Sequence, residues 1–148
     1  MINQKFSFYG GDGSIIRNND IHHVYFGLYT FGVGHMIIEN NIIRNSGHYG
    51  LDPHTGTHDT IIRNNVVYDN NGSGIICSLN CYNILIENNK VHDNAENGID
   101  FSRNMTKSIT RNKEILLFIM SHQASLYRDH ITIRYLTILY LRVSMGLN

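Results

Sequence analysis

Residues Gly47–Asp59 read GHYGLDPHTGTHD and gather one tyrosine, three histidines and two aspartates around the only proline of the chain. These are groups that carry protons. Asp52 and His54 stand two apart, the spacing that puts two side chains on one face of a β-strand and sends Leu51 and Pro53 to the other. A neutral histidine beside a carboxylate is a natural general base, because the acid can orient the ring and tune its basicity. Tyr49 offers a second proton carrier at the edge of the same face. An ordinary solvated strand also carries His and Asp, and His35 with His58 would make an unremarked surface pair. Chemistry therefore depends on the scaffold that holds these groups.

That scaffold repeats. The segments IIRNNDI from Ile15, IIENNII from Ile37, IIRNNVV from Ile61 and LIENNKV from Leu85 carry Asn pairs beginning at Asn18, Asn40, Asn64 and Asn88, spaced by 22, 24 and 24. A second marker follows each pair in FGLY, YGLD, SGII and NGID, with Gly27, Gly50, Gly74 and Gly98 spaced by 23, 24 and 24. Two markers holding one period identify a repeat architecture. Each repeat contains short apolar runs rich in β-branched residues and separated by Asn or Gly, with no long stretch of helical periodicity. The leucine spacing of a leucine-rich repeat is absent as well. The pattern predicts an all-β, right-handed parallel β-helix of about 22–24 residues per coil. The Asn pairs are expected to form a ladder at one corner, and Ile16, Ile38, Ile62 and Ile86 to stack in one interior column.

The expected organisation is a lead-in over residues 1–13, coils over 14–112, and a degraded coil or divergent tail over 113–148. HITIRYLTI, starting at His130, still resembles the repeat, with Arg134 lying 23 residues after Arg111. A solenoid of about five coils with no evident polar cap reads as short and truncated.

Stacking places residues of equal phase about 4.8 Å apart. Counted from the marker glycine, Asp52 falls beside Tyr29, Ile76 and Asp100, and His54 beside Phe31, Ser78 and Ser102. Tyr49 joins Phe26, Ser73 and Asn97, and His58 joins His35 and Tyr82. The apolar residues flanking Leu51 in phase (Leu28, Ile75, Ile99) mark it as core. Asp52 and His54 are therefore expected to point outward into a shallow groove with Tyr49 at its rim. His35, His54, His58 and Asp52 are ligand types suited to Zn2+ or Cu2+, but no spacing fixes them as a set, and no metal is assigned.

Composition narrows the partners. Formal net charge is zero, charged residues make up 16% of the chain, and the cations are scattered, so no basic stripe for nucleic acid is present. The apolar stretch at Ile115–Met120 is too short to span a bilayer. The N-terminal MINQKFSFYGG lacks the basic and apolar regions of a signal peptide. Cys77 and Cys81, the only two cysteines, are too few for a structural zinc cage and read as buried small hydrophobes rather than a disulfide.

YGLDPH, Tyr49 to His54, set in an Asn-Asn-rich β-helix repeat, resembles the catalytic segment of mannuronan (alginate) C5-epimerases, whose pattern runs Tyr-Gly-apolar-Asp-Pro-His. Outside that motif, residues 14–112 resemble the generic repeat of carbohydrate-binding and sugar-hydrolase β-helices. The resemblance implies an isomerase acting on an acidic polysaccharide outside the cytoplasm, with Tyr49, Asp52 and His54 catalytic. It implies no cofactor, with Ca2+ at most a structural ion, and says nothing of oligomeric state. His35, His58, Ser78 and Arg103 are expected to contact substrate. Many family members carry an acidic residue or a serine-arginine pair one coil on, whereas here Ser78 is followed by Leu79. Two coils on, Glu96 and Asn97 replace an Arg-His pair. Arg103 is then the nearest cation by phase to neutralise a substrate carboxylate, with Arg17 and Lys107 as further candidates. Such an enzyme removes the C5 proton of a uronate with a base on one face and returns a proton from the other, His54 suiting the first role and Tyr49 the second, with Asp52 orienting the histidine or sharing a proton with the carboxylate. A lyase shares the first step and then expels the C4 oxygen. A non-catalytic glycan-binding β-helix, or an inactive fragment, is the remaining alternative.

Overall fold

The computed structural model describes residues 5–101 and 109–111. Arg103, Lys107, Ser102 and the stretch 113–148 singled out above lie outside them. Fourteen strands follow one another among the described residues, with no helix between them. They are β1 (Lys5–Tyr9), β2 (Ile15–Arg17), β3 (Asp20–His22), β4 (Phe26–Phe31), β5 (Ile37–Glu39), β6 (Ile42–Arg44), β7 (Leu51–His54), β8 (His58–Arg63), β9 (Val66–Tyr68), β10 (Ile75–Cys77), β11 (Tyr82–Glu87), β12 (Lys90–His92), β13 (Ile99–Phe101) and β14 (Ile109–Arg111).

Every third strand pairs in parallel, which wraps the chain around three sheets. The first runs β1-β4-β7-β10-β13, the second β2-β5-β8-β11-β14, and the third β3-β6-β9-β12. The lead-in thus contributes a strand of its own, β1, which pairs with β4. Register follows the repeat. Ile16 pairs with Ile38, Ile38 with Ile62 and Ile62 with Ile86, and all four are buried, as the double periodicity predicts. Parallel columns from the other sheets, Leu28-Leu51-Ile75 and Ile21-Ile43-Val67-Val91, meet them in one continuous core. Each fully buried aliphatic side chain contributes roughly 1.5–3 kcal/mol.

The corners are built by Asn. The first member of each pair turns the chain through the left-handed region, with φ of 59° at Asn18, 55° at Asn40, 55° at Asn64 and 53° at Asn88, a conformation that Asn tolerates better than most residues. The second member forms the ladder and is buried at Asn41, Asn65 and Asn89. Asn19 Nδ2 donates to Asn41 Oδ1 at 3.0 Å, Asn41 Nδ2 to Asn65 Oδ1 at 3.0 Å, and Asn65 Nδ2 to Asn89 Oδ1 at 2.9 Å. A second ladder, not anticipated from the sequence, occupies the next corner, where Asn70 Nδ2 donates to Asn94 Oδ1 at 2.8 Å and Ser46 N to Asn70 Oδ1 at 3.0 Å. Its left-handed residues are His23, Asn45, Asp69 and Asp93.

The marker glycines are explained by close approach. A Cβ on Gly27 would collide with the carbonyl oxygen of Gly50. One on Gly50 would lie 2.6 Å from the Gly74 oxygen, and one on Gly74 would lie 2.8 Å from the Gly98 oxygen. No side chain fits where the coils pack backbone on backbone, immediately before the strands of the first sheet.

Candidate active site

The strand β7 is LDPH, placed between β4 and β10. Its register against β4 sets Leu51 on Leu28, Asp52 on Tyr29, Pro53 on Thr30 and His54 on Phe31, as phase counting predicts. Leu51 joins the core cluster with Leu28 and Ile75, whereas Tyr29 and Ile76, the buried column neighbours of Asp52, do not, so the alternation holds. Exposure does not follow it. Asp52 is only 2% exposed, and its column neighbours Tyr29 and Ile76 are 9% and 8% exposed. The sequence reading expected a solvated face. The neighbours supplied by the flanking coils are instead large, and they close over the carboxyl.

The electrostatics follow from that burial. Loss of water pushes the Asp52 carboxyl up to about 7, and the Ser78 hydroxyl, which donates to it, lowers it by less. Asp52 Oδ1 is buried and has no hydrogen-bond partner among the described residues. Strands β4, β7, β10 and β13 carry no Lys or Arg. Arg44 and Arg63 belong to the other sheets, where they pair with Asp20 at 2.9 Å and Glu39 at 2.7 Å. No cation on these strands offsets the loss of water at Asp52.

His54 is half-buried, its ring 5.0 Å from that of Tyr29 and stacked on Phe31 at 6.3 Å between centroids. Its Nδ1 lies 2.6 Å from Thr55 Oγ1. The sequence reading had Asp52 either orient this ring or share a proton with the substrate carboxylate. The neighbouring threonine hydroxyl is positioned for that task, since the hydrogen bond fixes the ring and directs the remaining nitrogen elsewhere. Tyr49 is half-buried beside Phe26, with ring centroids 6.0 Å apart. Burial first, then the charges of Glu96, Asp52 and Asp100, push its phenol above the usual value. The Tyr29 phenol is pushed up by burial and by Asp52. Tyr29 was not singled out as functional from the sequence, although its phase beside Asp52 was legible.

The remaining expected contacts divide. Ser78 is at the site, bonded to Asp52. His35 and His58 stand across the turn that follows β7 and form a cluster with Asp59, a residue the sequence reading did not assign. His58 bridges to Gly34 rather than to His35, because the coils here are offset by 24 residues and not by the 23 that separate their marker glycines. Cys77 and Cys81 are buried free thiols, and Cys81 Sγ lies 2.8 Å from the Ser78 carbonyl oxygen. Burial pushes the Cys77 thiol well up and that of Cys81 up to about 11, so both are inert small hydrophobes, as read from the sequence.

Among the described residues no helix is long and apolar enough to cross a membrane. No curated protein and no solved structure matches the chain. The family model described as a right-handed β-helix region matches residues 3–115, about three quarters of the sequence. It spans the first strand, the coil corners among the described residues and the segment that holds Asp52 and His54. The three parallel sheets, the Asn ladder and this match agree, and the chain belongs to the right-handed β-helix family.

Proposed function

We propose that the protein is a C5-epimerase of polymeric β-D-mannuronate, working on the face formed by β4, β7 and β10 and acting where such polymers occur, outside the cytoplasm. The observation that carries this reading is Asp52, a buried acid shifted to about 7 with an unpartnered Oδ1, on the strand that also carries His54, with Tyr49 just before it. A uronate C5 proton is weakly acidic while the C6 carboxylate is charged. Once the covering side chains of Tyr29 and Ile76 move aside, neutral Asp52 donates a hydrogen bond to that carboxylate and makes the enolate-like state bearable. The sequence reading gave this role to a cation such as Arg103 or to a proton shared with Asp52. His54 takes the C5 proton, and the electrons of the broken C–H bond move into the enolate. Tyr49 then delivers a proton to the opposite face of C5, and the inverted residue leaves. The exposed rings of Tyr9 and Phe31, 65% and 41% exposed and 5.8 Å apart, give a pyranose ring an apolar surface on which to lie.

One observation favours lyase chemistry as a second reading. Tyr29 lies directly against His54, so a base and a second phenol share one side of the bound sugar. If Tyr29 protonates the C4 oxygen after His54 has removed the C5 proton, the chain breaks and leaves an unsaturated end. Incubation with polymannuronate followed by proton NMR separates the outcomes. Guluronate signals are the expected result, unsaturated ends would transfer the assignment to a lyase, and unchanged polymer with measurable binding would leave a glycan-binding module.

A further inference from the structure

Across the turn from Asp52 and His54, one ligand atom each from His35, His58 and Asp59 lies within 4.8 Å of the other two. Three features suggest that these groups are prepared rather than accidental neighbours. First, His58 Nδ1 faces the Gly56 carbonyl oxygen at 2.9 Å. A carbonyl can only accept, so Nδ1 carries the proton and Nε2 presents its lone pair. Second, Asp59 Oδ1 accepts from Asn83 Nδ2 at 2.5 Å, which leaves Oδ2 turned to the cluster, 4.0 Å from His58 Nε2. Such outer hydrogen bonds are the usual means by which imidazole and carboxylate ligands are oriented for a metal. Third, the His58 ring is held from both sides. It stacks on Tyr82 at 4.9 Å with an interplanar angle of 14°, and its Nε2 edge packs on the backbone of Gly34, where a Cβ would meet Nε2 first and then Cε1.

We propose that His35, His58 and Asp59 bind a divalent transition-metal ion of the zinc class, tying the second coil to the third. The proposal is independent of the reading at Tyr49, Asp52 and His54. Two imidazoles and one carboxylate suit Zn2+, Cu2+, Ni2+ or Co2+, whereas Ca2+ prefers six or more oxygen ligands. Metal–ligand bonds of about 2.0–2.2 Å set neighbouring ligand atoms of a tetrahedral site roughly 3.4 Å apart, so closing on an ion needs side-chain movements of about an ångström. His35 is exposed and the other two are half-buried, which gives an ion access and leaves water as the fourth ligand.

The test uses the full chain stripped with a chelator, titrated with Zn2+ by calorimetry and with Co2+ by visible absorption. Expected are one equivalent bound, no displacement by millimolar Ca2+, and a rise in Tm of roughly 5–10 °C when Zn2+ is present at about a hundred times its dissociation constant. His35 and Asp59 have φ of 55° and 46°, and Asn tolerates that region. His35→Asn and Asp59→Asn therefore remove a ligand without straining the turn, and circular dichroism should match the parent. Each should weaken Zn2+ binding at least tenfold. Asn83→Gly, which touches no metal and keeps the φ of 57° free of strain, should weaken it by a smaller factor. Absence of saturable binding in the parent would overturn the proposal. So would unchanged affinity in both Asn variants, since the ion would then sit elsewhere, for instance on the exposed pair His22 and His23, whose Nδ1 atoms are 2.7 Å apart.

Discussion

Asp52 concentrates the account at the level of single residues, and its burial has two measurable consequences. An unfolded chain returns this carboxyl to about 3.8, while the folded state holds it near 7. The fold therefore binds the proton more tightly. Asp52 costs no stability well below pH 4, and stability falls as pH rises from about 4 to about 7. At roughly 1.4 kcal/mol per pH unit, the loss amounts to a few kcal/mol. Urea unfolding at pH 5 and pH 8 should show this fall in the parent and a smaller one in Asp52→Asn, and equal falls would contradict the burial argument. The same titration predicts that turnover declines as pH passes 7, because the ionised acid repels the substrate carboxylate. Replacing His54 by Ala should lower kcat by about 10²–10⁴-fold. Tyr49→Phe should do comparable harm with little change in binding, since only a proton is withdrawn. If Tyr49→Phe is fully active and Tyr29→Phe is dead, the acid has been assigned to the wrong phenol.

Elements are fixed by what happens at the corners. Asn65 is 1% exposed and serves several partners at once. Its Oδ1 accepts from the backbone and side chain of Asn41, and its Nδ2 donates to Ile38 O and Asn89 Oδ1. Asn65→Ala should destabilise by about 2–4 kcal/mol, because buried partners on both neighbouring coils are left unsatisfied. Its sequence neighbour Asn64 contributes through φ alone, so Asn64→Gly should be nearly neutral, whereas Asn64→Val should cost about 1–2 kcal/mol. Gly50→Ala should cost about 1–3 kcal/mol or more, since its methyl would press on Val67 and on the Gly74 carbonyl. Chemical denaturation of the four variants separates the three devices. A harmless Asn65→Ala would mean that the ladder is ornament to a core that holds by itself.

The whole molecule was legible from the sequence wherever repetition multiplied a weak signal. One Asn pair means little, but four in phase gave the sheets, the register and the interior isoleucine column. The second ladder was missed because its positions are not uniform: Ser46 stands where Asn70 and Asn94 do, and only Asn70 belongs to an Asn-Asn doublet. Phase counting also placed Asp52 on Tyr29 and His54 on Phe31, yet it could not show that the column closes over the carboxyl. That depends on side-chain volume, which periodicity does not encode. Orientation of His54 by Thr55 and the joining of Asp59 to His35 and His58 were hidden for a related reason, since both arise from turn geometry between strands. The central claim is that this face exchanges the C5 proton of a uronate, and it is tested most directly in heavy water. Polymannuronate incubated with the full chain in D2O, then hydrolysed and analysed by NMR and mass spectrometry, should carry deuterium at C5 of newly formed guluronate residues, and His54→Ala should abolish the label. A parent chain that binds the polymer yet leaves C5 unlabelled would contradict the claim.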